Sequence, residues 1–491
     1  MSLFKEHHLS NSWVKENRFI GQNADKSELP IFKEVRNKLP IPFWEGNDSV
    51  IDCYWKAWEI AFSNLRQPTS ENGFISPYID TAFNDCLFMW DSSFIMLFGR
   101  YGIRAFDFQR TLDNFYAKQH KSGFICREIR ESDGIDTFDC FDPASTGPNL
   151  LPWPEWEYYL NFGDRERLAK VFPALVAYYQ WYRDHRSWPD GSYWSCGWGC
   201  GMDNQPRLPN RNTGDFFGHG FMSWVDISLQ QIFVGKIFLE MAEVLNRSGE
   251  IKEIKDEIEK QTAYVNNVLW DPGKGFYFDR FRDGTLSNVM SIGGFWSLLA
   301  DTLNETSLKQ MVDHLRDPKT FNRPHRVPSL AASDADYDAG GKYWCGSIWA
   351  PTNYMVLRGL NKCKENALAH EIALNHVKCV TKVFEETGTL WENYAPERIE
   401  RGDDSRKNFV GWTGLAPISV LFENVFGIRA DVPNNTIHWD VRLLQEHGIQ
   451  QYPFGRDGWV NLRCEARENV SEKPVISVES NQPINIQITL K

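Results

Sequence analysis

The stretch VDISLQQIFVGKIFLEMAEVL, Val225 to Leu245, decides the fold class. Its apolar residues Val225, Leu229, Ile232, Phe233, Ile237, Met241, Val244 and Leu245 recur at steps of three and four. That spacing draws one stripe along a long helix, here expected to end at Gly249, and excludes the period-two alternation of a strand. Similar stripes lie near residues 50–65, 92–119, 165–186, 251–269, 291–317, 346–359, 364–386 and 412–426. Roughly ten to twelve helices are therefore expected between residues 50 and 427. After Gly427 the period changes. Ile437, Trp439, Val441 and Leu443 alternate, as do Val460, Leu462, Cys464 and Ala466, and then Ile484, Ile486, Ile488 and Leu490, with turn chemistry at Asp457-Gly458. The organisation expected is an N-terminal extension (1–49) packed on a helical body (50–427), followed by a small antiparallel β region (428–491).

Between the helices lie segments rich in Gly, Pro, Asp and aromatic residues: 66–91, 121–156, 187–219, 270–290, 318–345 and 387–411. Loops longer than about 12 to 15 residues are uncommon in compact domains unless they carry function. Gathered at one end of a helical scaffold, they would form the walls of a pocket.

Composition narrows what that pocket takes. A net charge of −12 leaves no basic excess to meet nucleic-acid phosphates or an anionic membrane. No stretch is long and apolar enough to span a bilayer, and MSLFKEHHLSNSW shows no signal-peptide pattern, so a cytoplasmic location is expected. The ten cysteines are scattered, which suits free thiols in a reducing compartment. Cys196 and Cys200 have no second ligand pair at zinc-site spacing, so no metal is expected. The chain also carries 20 Trp, 17 Tyr and 33 Phe, a load that makes aromatic pocket walls available.

The long segments and their edges hold six clusters: FMWDSSF (Phe88 to Phe94), GPNLLPWPEWEYY (Gly147 to Tyr159), WSCGWGCGMDNQPR (Trp194 to Arg207), GKYWCGSIWAPTNY (Gly341 to Tyr354), LWENYAPE (Leu390 to Glu397) and FVGWTGLAP (Phe409 to Pro417). Each mixes Trp, Tyr or Phe with carboxylate, amide or glycine. A carbohydrate needs that combination, because a sugar ring offers an apolar C–H face to stack on aromatic rings and an equator of hydroxyls to bidentate polar groups. None of the clusters is a Gly-rich phosphate cradle, and no cofactor is expected.

In chain order, Trp90-Asp91, then GMDNQPR (Gly201 to Arg207), YWCGSIWAPTNY (Tyr343 to Tyr354), ENY (Glu392 to Tyr394) and GWT (Gly411 to Thr413) resemble the trehalase-like and family 63-like glycoside hydrolases, which include α-glucosidases and mannosylglycerate hydrolases. The resemblance covers about residues 50–427. It implies a mainly α fold, an (α/α)6 barrel, and inverting hydrolysis of an α-linked glucose- or mannose-type sugar by two acidic residues. The general acid falls on Asp203 and the base on Glu392, while Asp91 binds hydroxyls of the sugar being cleaved. Cys345 departs from the Arg that relatives often carry at its position, which puts the substrate in doubt more than the chemistry.

The residues support the same pair independently. Inverting hydrolysis needs one protonated carboxyl and one ionised carboxylate about 6.5 to 9.5 Å apart. Asp203, among Trp194, Trp198 and Met202, is expected to be desolvated and protonated, whereas Asn393 and Tyr394 are expected to hold Glu392 ionised. The candidate binding set is Trp90, Asp91, Trp153, Asn204, Arg207, Tyr343, Trp344, Trp349, Asn393 and Trp412. Asp91 also reads as a helix N-cap, Trp153, Trp349 and Trp412 as core, and Arg207 as pairing with a loop carboxylate to fix Asp203. Glu155, Glu157 and Glu397 are reserve bases.

Competing functions on the same residues are a sugar epimerase or isomerase and a non-catalytic carbohydrate-binding protein. The first would use histidines near the centre, but only His219 and His325 of the 11 fall in pocket segments. A lyase or unsaturated-uronide hydrolase would want a basic cleft, against the acidic composition. Linkage, chain length and oligomeric state stay open.

Overall fold

The Val225–Leu245 stripe forms the helix its spacing predicts, but Asn246 ends it rather than Gly249. Asn246 sits in the left-handed region at φ 59, a conformation that Asn tolerates better than most residues. This helix is α6 of the computed structural model, which describes residues 10–80, 84–212 and 214–489. In chain order the other helices are α1 (Asp48–Ser63), α2 (Met89–Gly99), α3 (Thr111–Ala117), α4 (Pro152–Phe162), α5 (Arg165–Arg186), α7 (Lys252–Tyr264), α8 (Trp296–Ala300), α9 (Glu305–Arg316), α10 (Ala350–Lys362), α11 (Asn366–Thr387) and α12 (Ala416–Val425). The last is a π-helix, entered through a 3-10 turn at Trp412–Leu415.

Three departures from the expected pattern have local causes. Helix α4 begins inside the segment read as loop, because Pro152 and Pro154 occupy its first turn, where a missing N–H costs no helical hydrogen bond. The stripe at 92–119 is two helices, α2 and α3. The stripe at 291–317 breaks between α8 and α9, where Asn304 and Ser307 form a capping box that starts a new helix.

Helix α2 packs on α4, α4 on α6, α6 on α8, α8 on α10, α10 on α12, and α12 with its 3-10 turn on α2. Helices α1, α3, α5, α7 and α11 pack against members of that set. Trp153 of α4 is 2% exposed and sits amid Phe94 of α2, Phe233 of α6, Trp296 of α8 and Tyr354 of α10. At the C-terminal ends of the same helices, Glu423 accepts from Arg100 at 2.6 Å and from Arg358 at 2.8 Å, and Arg358 also binds Glu157 at 2.6 Å. These buried ion pairs tie α2, α4, α10 and α12 together.

The β region is mixed rather than antiparallel throughout. Strands β1 (Ile41–Trp44), β6 (His447–Pro453), β7 (Trp459–Cys464) and β8 (Ile476–Ser480) form an antiparallel sheet in the order β1-β6-β7-β8. One strand of it thus comes from the N-terminal extension. A second sheet has β9 (Asn485–Thr489) parallel to β5 (Thr436–Asp440), which pairs antiparallel with β4 (Ile428–Asp431). Because β8 belongs to the other sheet, β9 reaches the open edge of β5 by crossing over, and a crossover, unlike a tight hairpin, allows parallel pairing. Among the described residues no helix is long and apolar enough to cross a membrane. All ten cysteines are unpaired.

Candidate active site

Two three-residue strands build one wall of the site. Strand β2 (Cys86–Phe88) pairs with β3 (Glu128–Arg130), opposing Phe88 to Glu128, and the Met89 N–H donates to the Arg127 carbonyl at 2.8 Å. That register carries Phe88, Trp90, Asp91, Arg127 and Glu128 to a cavity of about 320 Å³, whose other walls include Trp198, Asp203, Tyr343, Trp344, Arg406 and Trp412. Its volume is at the lower end for small-molecule sites.

Asp91 is not the cap of its helix. Helix α2 begins at Met89 with Phe88 in the cap position, which places Asp91 in the first turn. It is 5% exposed, and its Oδ1 finds no hydrogen-bond partner among the described residues. Burial, then the nearby Glu392, Asp80 and Asp203, push its carboxyl well above the usual range.

Asp203 follows a one-turn helix, Gly197–Cys200, that ends at Gly201 with φ 74. A side chain at Gly201 would place its Cβ 3.0 Å from Cδ2 of Trp90, so glycine is required both by the backbone and by the close approach of the wall. Asp203 is partly exposed to the cavity. Burial pushes its carboxyl up to about 7, Arg127 pulls it down and Glu128 pushes it up. Glu392 is 2% exposed and accepts from Tyr343 Oη at 3.4 Å and from the Arg406 N–H at 3.3 Å. It too is pushed up to about 7, by burial and Asp203, against the Arg406 N–H and charge and the Tyr343 hydroxyl.

The two carboxyls therefore do not differ as their sequence neighbours suggest. Desolvation raises both, and the neighbours of Glu392 in sequence are not its partners in space. The Asn393 side chain is buried with no hydrogen bond among the described residues, and the Tyr394 hydroxyl accepts from the Trp391 N–H at 3.2 Å.

Trp90, Asp91, Asp203, Tyr343, Trp344 and Trp412 line the cavity, with Glu392 just behind Tyr343. Trp412 holds Glu392 in place, its indole N–H donating to the Glu392 carbonyl at 3.0 Å. Five other candidates lie off the cavity wall. Trp153 is core, as described. Trp349 is fully buried behind Trp344, parallel to it at 4.0 Å. Arg207 is 1% exposed and locked to Asp226 and Asp279 by four bonds of 2.7 to 2.8 Å, so its charge is neutralised within the protein. Asn204 accepts from the Trp344 N–H at 2.8 Å and donates to the Lys342 carbonyl at 3.0 Å, which makes it a clamp on the loop. Asn393 packs beneath Gly402. Cys345 is buried and donates its thiol to the Asn204 carbonyl at 3.3 Å.

The reserve carboxylates are paired elsewhere: Glu155 with Arg167, Glu157 with Arg358 and Glu397 with Arg323. His325 is buried against His376 at 2.8 Å. Residue spacing alone did not reveal Arg127, Glu128 and Arg406. Arg127 and Glu128 reach the cavity only through a pairing of strands about forty residues apart, for which the sequence carries no local signal.

The family model of the mannosylglycerate hydrolase MGH1-like glycoside hydrolase domain matches residues 86–409. An uncharacterized protein of Borreliella burgdorferi is 23% identical over 352 residues, covering 69% of this chain and 71% of that protein. The mannosyl-oligosaccharide glucosidase of Saccharomyces cerevisiae is 20% identical over 297 residues, covering 51% of this chain and 34% of that enzyme, so this chain spans about a third of its length. Among solved structures, the GH63 mannosylglycerate hydrolase from Thermus thermophilus in complex with glucose has a TM-score of 0.60 at 21% identity, over 74% of this chain and 99% of that one. At that identity what is shared is the fold. The match across residues 86–409, which contain the cavity's carboxyl groups and most of its aromatic walls, makes this chain a member of the mannosylglycerate hydrolase MGH1-like glycoside hydrolase family, and so a glycosidase.

Proposed function

We propose that this protein is an inverting glycoside hydrolase, built on an (α/α)6 barrel over about residues 50–427, that releases a glucose- or mannose-type sugar from α-linked substrates. The cycle of helix contacts from α2 through α12 supports the barrel. The names of its relatives, mannosylglycerate hydrolase and mannosyl-oligosaccharide glucosidase, support the sugar class.

The observation that carries the mechanism is that Asp203 and Asp91 line one aromatic-walled cavity with Glu392 just behind its Tyr343 wall, and that Asp203 raises the proton affinity of both Glu392 and Asp91. Two coupled carboxyls near neutrality do not ionise together, since the first charge pushes the second proton's release upward. The singly protonated pair is the state that inverting hydrolysis needs. Two donors, the Arg406 N–H and the Tyr343 hydroxyl, point at Glu392, and the Arg406 charge adds to them. They favour Glu392 as the ionised base that activates water. Asp203, open to the cavity, keeps the proton and delivers it to the glycosidic oxygen. Asp91, with a buried oxygen unpartnered among the described residues, accepts from sugar hydroxyls, and Trp90, Trp344 and Trp412 stack on the ring.

Asp203→Asn and Glu392→Gln are each expected to lower kcat by about 10² to 10⁴-fold. Proton NMR of the first-formed sugar is expected to show inverted anomeric configuration. Retention would mean a covalent intermediate and carboxyls only about 5 to 5.5 Å apart, and would overturn Asp203 as acid with Glu392 as base.

A further inference from the structure

Asp203 and Glu392 differ in what surrounds them. On the Glu392 side stand Tyr343, Arg406 and Trp412. On the Asp203 side stand Arg127, Glu128 and Trp198, the first two being its charged neighbours. If Asp203 protonates the leaving oxygen, as proposed above, the leaving group lies against this second set.

That wall is aromatic and electrically balanced. Trp198 is half-buried, lines the cavity, and is stacked on Phe216 at 5.6 Å and 20°, with Phe217 edge-on at 4.8 Å and Phe138 at 6.2 Å. Backbone pins the platform, because the Trp198 N–H donates to the Phe216 carbonyl at 3.0 Å. Gly197 lets the strand of chain approach, since a Cβ there would stand 2.7 Å from the Asp203 carbonyl oxygen and 3.0 Å from Cα of Phe216. Phe217 is 47% exposed and carries the apolar surface outward from the cavity. Arg127 is the cation of this wall. Its Nη2 is 3.1 Å from Glu128 and its Nε donates to the Ala144 carbonyl at 2.6 Å, so its charge is met by the protein itself.

We propose that Trp198, backed by Phe216 and flanked by Phe217, is the stacking platform for the leaving group, and that the leaving group is an uncharged sugar ring. This assignment rests on the hydrolase reading and on Asp203 as the acid. An indole wall covers the C–H face of a pyranose, with apolar surface removed from water on both partners. A small carboxylic acid as leaving group would instead want an unpaired cation, and Glu128 already neutralises Arg127.

Kinetics with two leaving groups test it. Trp198→Ala is expected to lower kcat/KM for an α-linked disaccharide by about 10- to 100-fold, the scale of one lost apolar platform. Its loss on the matching α-glucosyl or α-mannosyl fluoride should be at least about tenfold smaller, because fluoride occupies no platform. Phe217→Ala, at an exposed position where folding is not at risk, should show the same split more weakly, and Trp198→Phe should restore most of the disaccharide rate. Equal losses on disaccharide and fluoride, no loss on the disaccharide, or a wild-type preference for the glycoside of a small hydroxy acid over the disaccharide each overturn the platform while leaving the hydrolase standing. A wild-type protein that cleaves neither fluoride nor disaccharide overturns both.

Discussion

Tyr343 presents its hydroxyl to Oε1 of Glu392 across 3.4 Å from a backbone held at φ 62, with its neighbour Lys342 at φ 31. Two successive residues at positive φ cost energy that the surrounding structure must over-determine, and such strain collects where a side chain has to be aimed. Here the Trp349 indole and the Asn204 amide bond the same loop and hold it in that shape.

Removing the Tyr343 hydroxyl should move the acid limb of the rate profile. The hydroxyl lowers the proton affinity of Glu392, so Tyr343→Phe raises it and leaves the base protonated to a higher pH. A long bond from a neutral donor is worth about 0.5 kcal/mol, so the shift expected is about 0.4 pH unit upward. The pH dependence of kcat/KM checks this; an acid limb that stays or moves down removes the hydroxyl from the circuit.

Arg207 should matter to stability and not to substrate. Its guanidinium also lies 4.4 Å over the Trp224 ring, and among the described residues no other cation is ion-paired to Asp226 or Asp279. Arg207→Ala leaves two buried carboxylates uncompensated, a loss of about 3 to 5 kcal/mol. Chemical denaturation should show it, with KM of the folded fraction within about threefold of wild type. A tenfold rise in KM at unchanged stability would return Arg207 to the binding set.

What could be read from the sequence depended on how local the cause was. The stripe of Arg165–Arg186 carries its own period, and the observed helix has those bounds. Helix α4 was hidden because its opening prolines look like loop until their place in the first turn is known. At the site, Trp90, Asp91, Asp203, Tyr343, Trp344 and Trp412 came from motifs that name residues. Trp153 and Trp344 have equally aromatic neighbourhoods in sequence, yet one is a core residue between four helices and the other a cavity wall. Only the packing of helices far apart in the chain separates them. The raised proton affinity of Glu392 was missed for the same reason, since the groups around it, Asp203 and Tyr343 among them, are distant in sequence.

Gly201→Ala should damage catalysis as well as folding. The new Cβ would meet Trp90 at 3.0 Å from a backbone at φ 74, so either the indole or the turn carrying Asp203 must give by a few tenths of an ångström. A displacement of that size at the acid is expected to lower kcat/KM by about tenfold. Strain at positive φ should cost about 1 to 2 kcal/mol of stability. A variant that loses stability but keeps its full rate would show that the turn has room to spare.

The raised carboxyls also predict how stability follows pH, and the sign is opposite to that of an ion-paired acid. Asp203 moves from 3.8 to about 7 on folding and Glu392 from 4.5 to about 7. Between roughly pH 4 and pH 7 the folded protein therefore holds protons that the unfolded chain has released, and stability falls as pH rises through that window. The contribution is intact below the unfolded values and gone above about 7, a loss of a few kcal/mol for the coupled pair. Replacing both groups by Asp203→Asn with Glu392→Gln removes the charges that resist burial. Compared with wild type, the double variant should melt about 2 to 5 °C higher at about pH 8 and within about 1 °C of it at about pH 4.5. Apart from Asp91, whose proton affinity falls when the two neighbouring charges go, the other carboxyls titrate alike in both proteins, so the difference between the two pH values isolates this cluster. An equal shift at both would mean that the variant gained from packing and that burial of the two acids is not what sets their proton affinity.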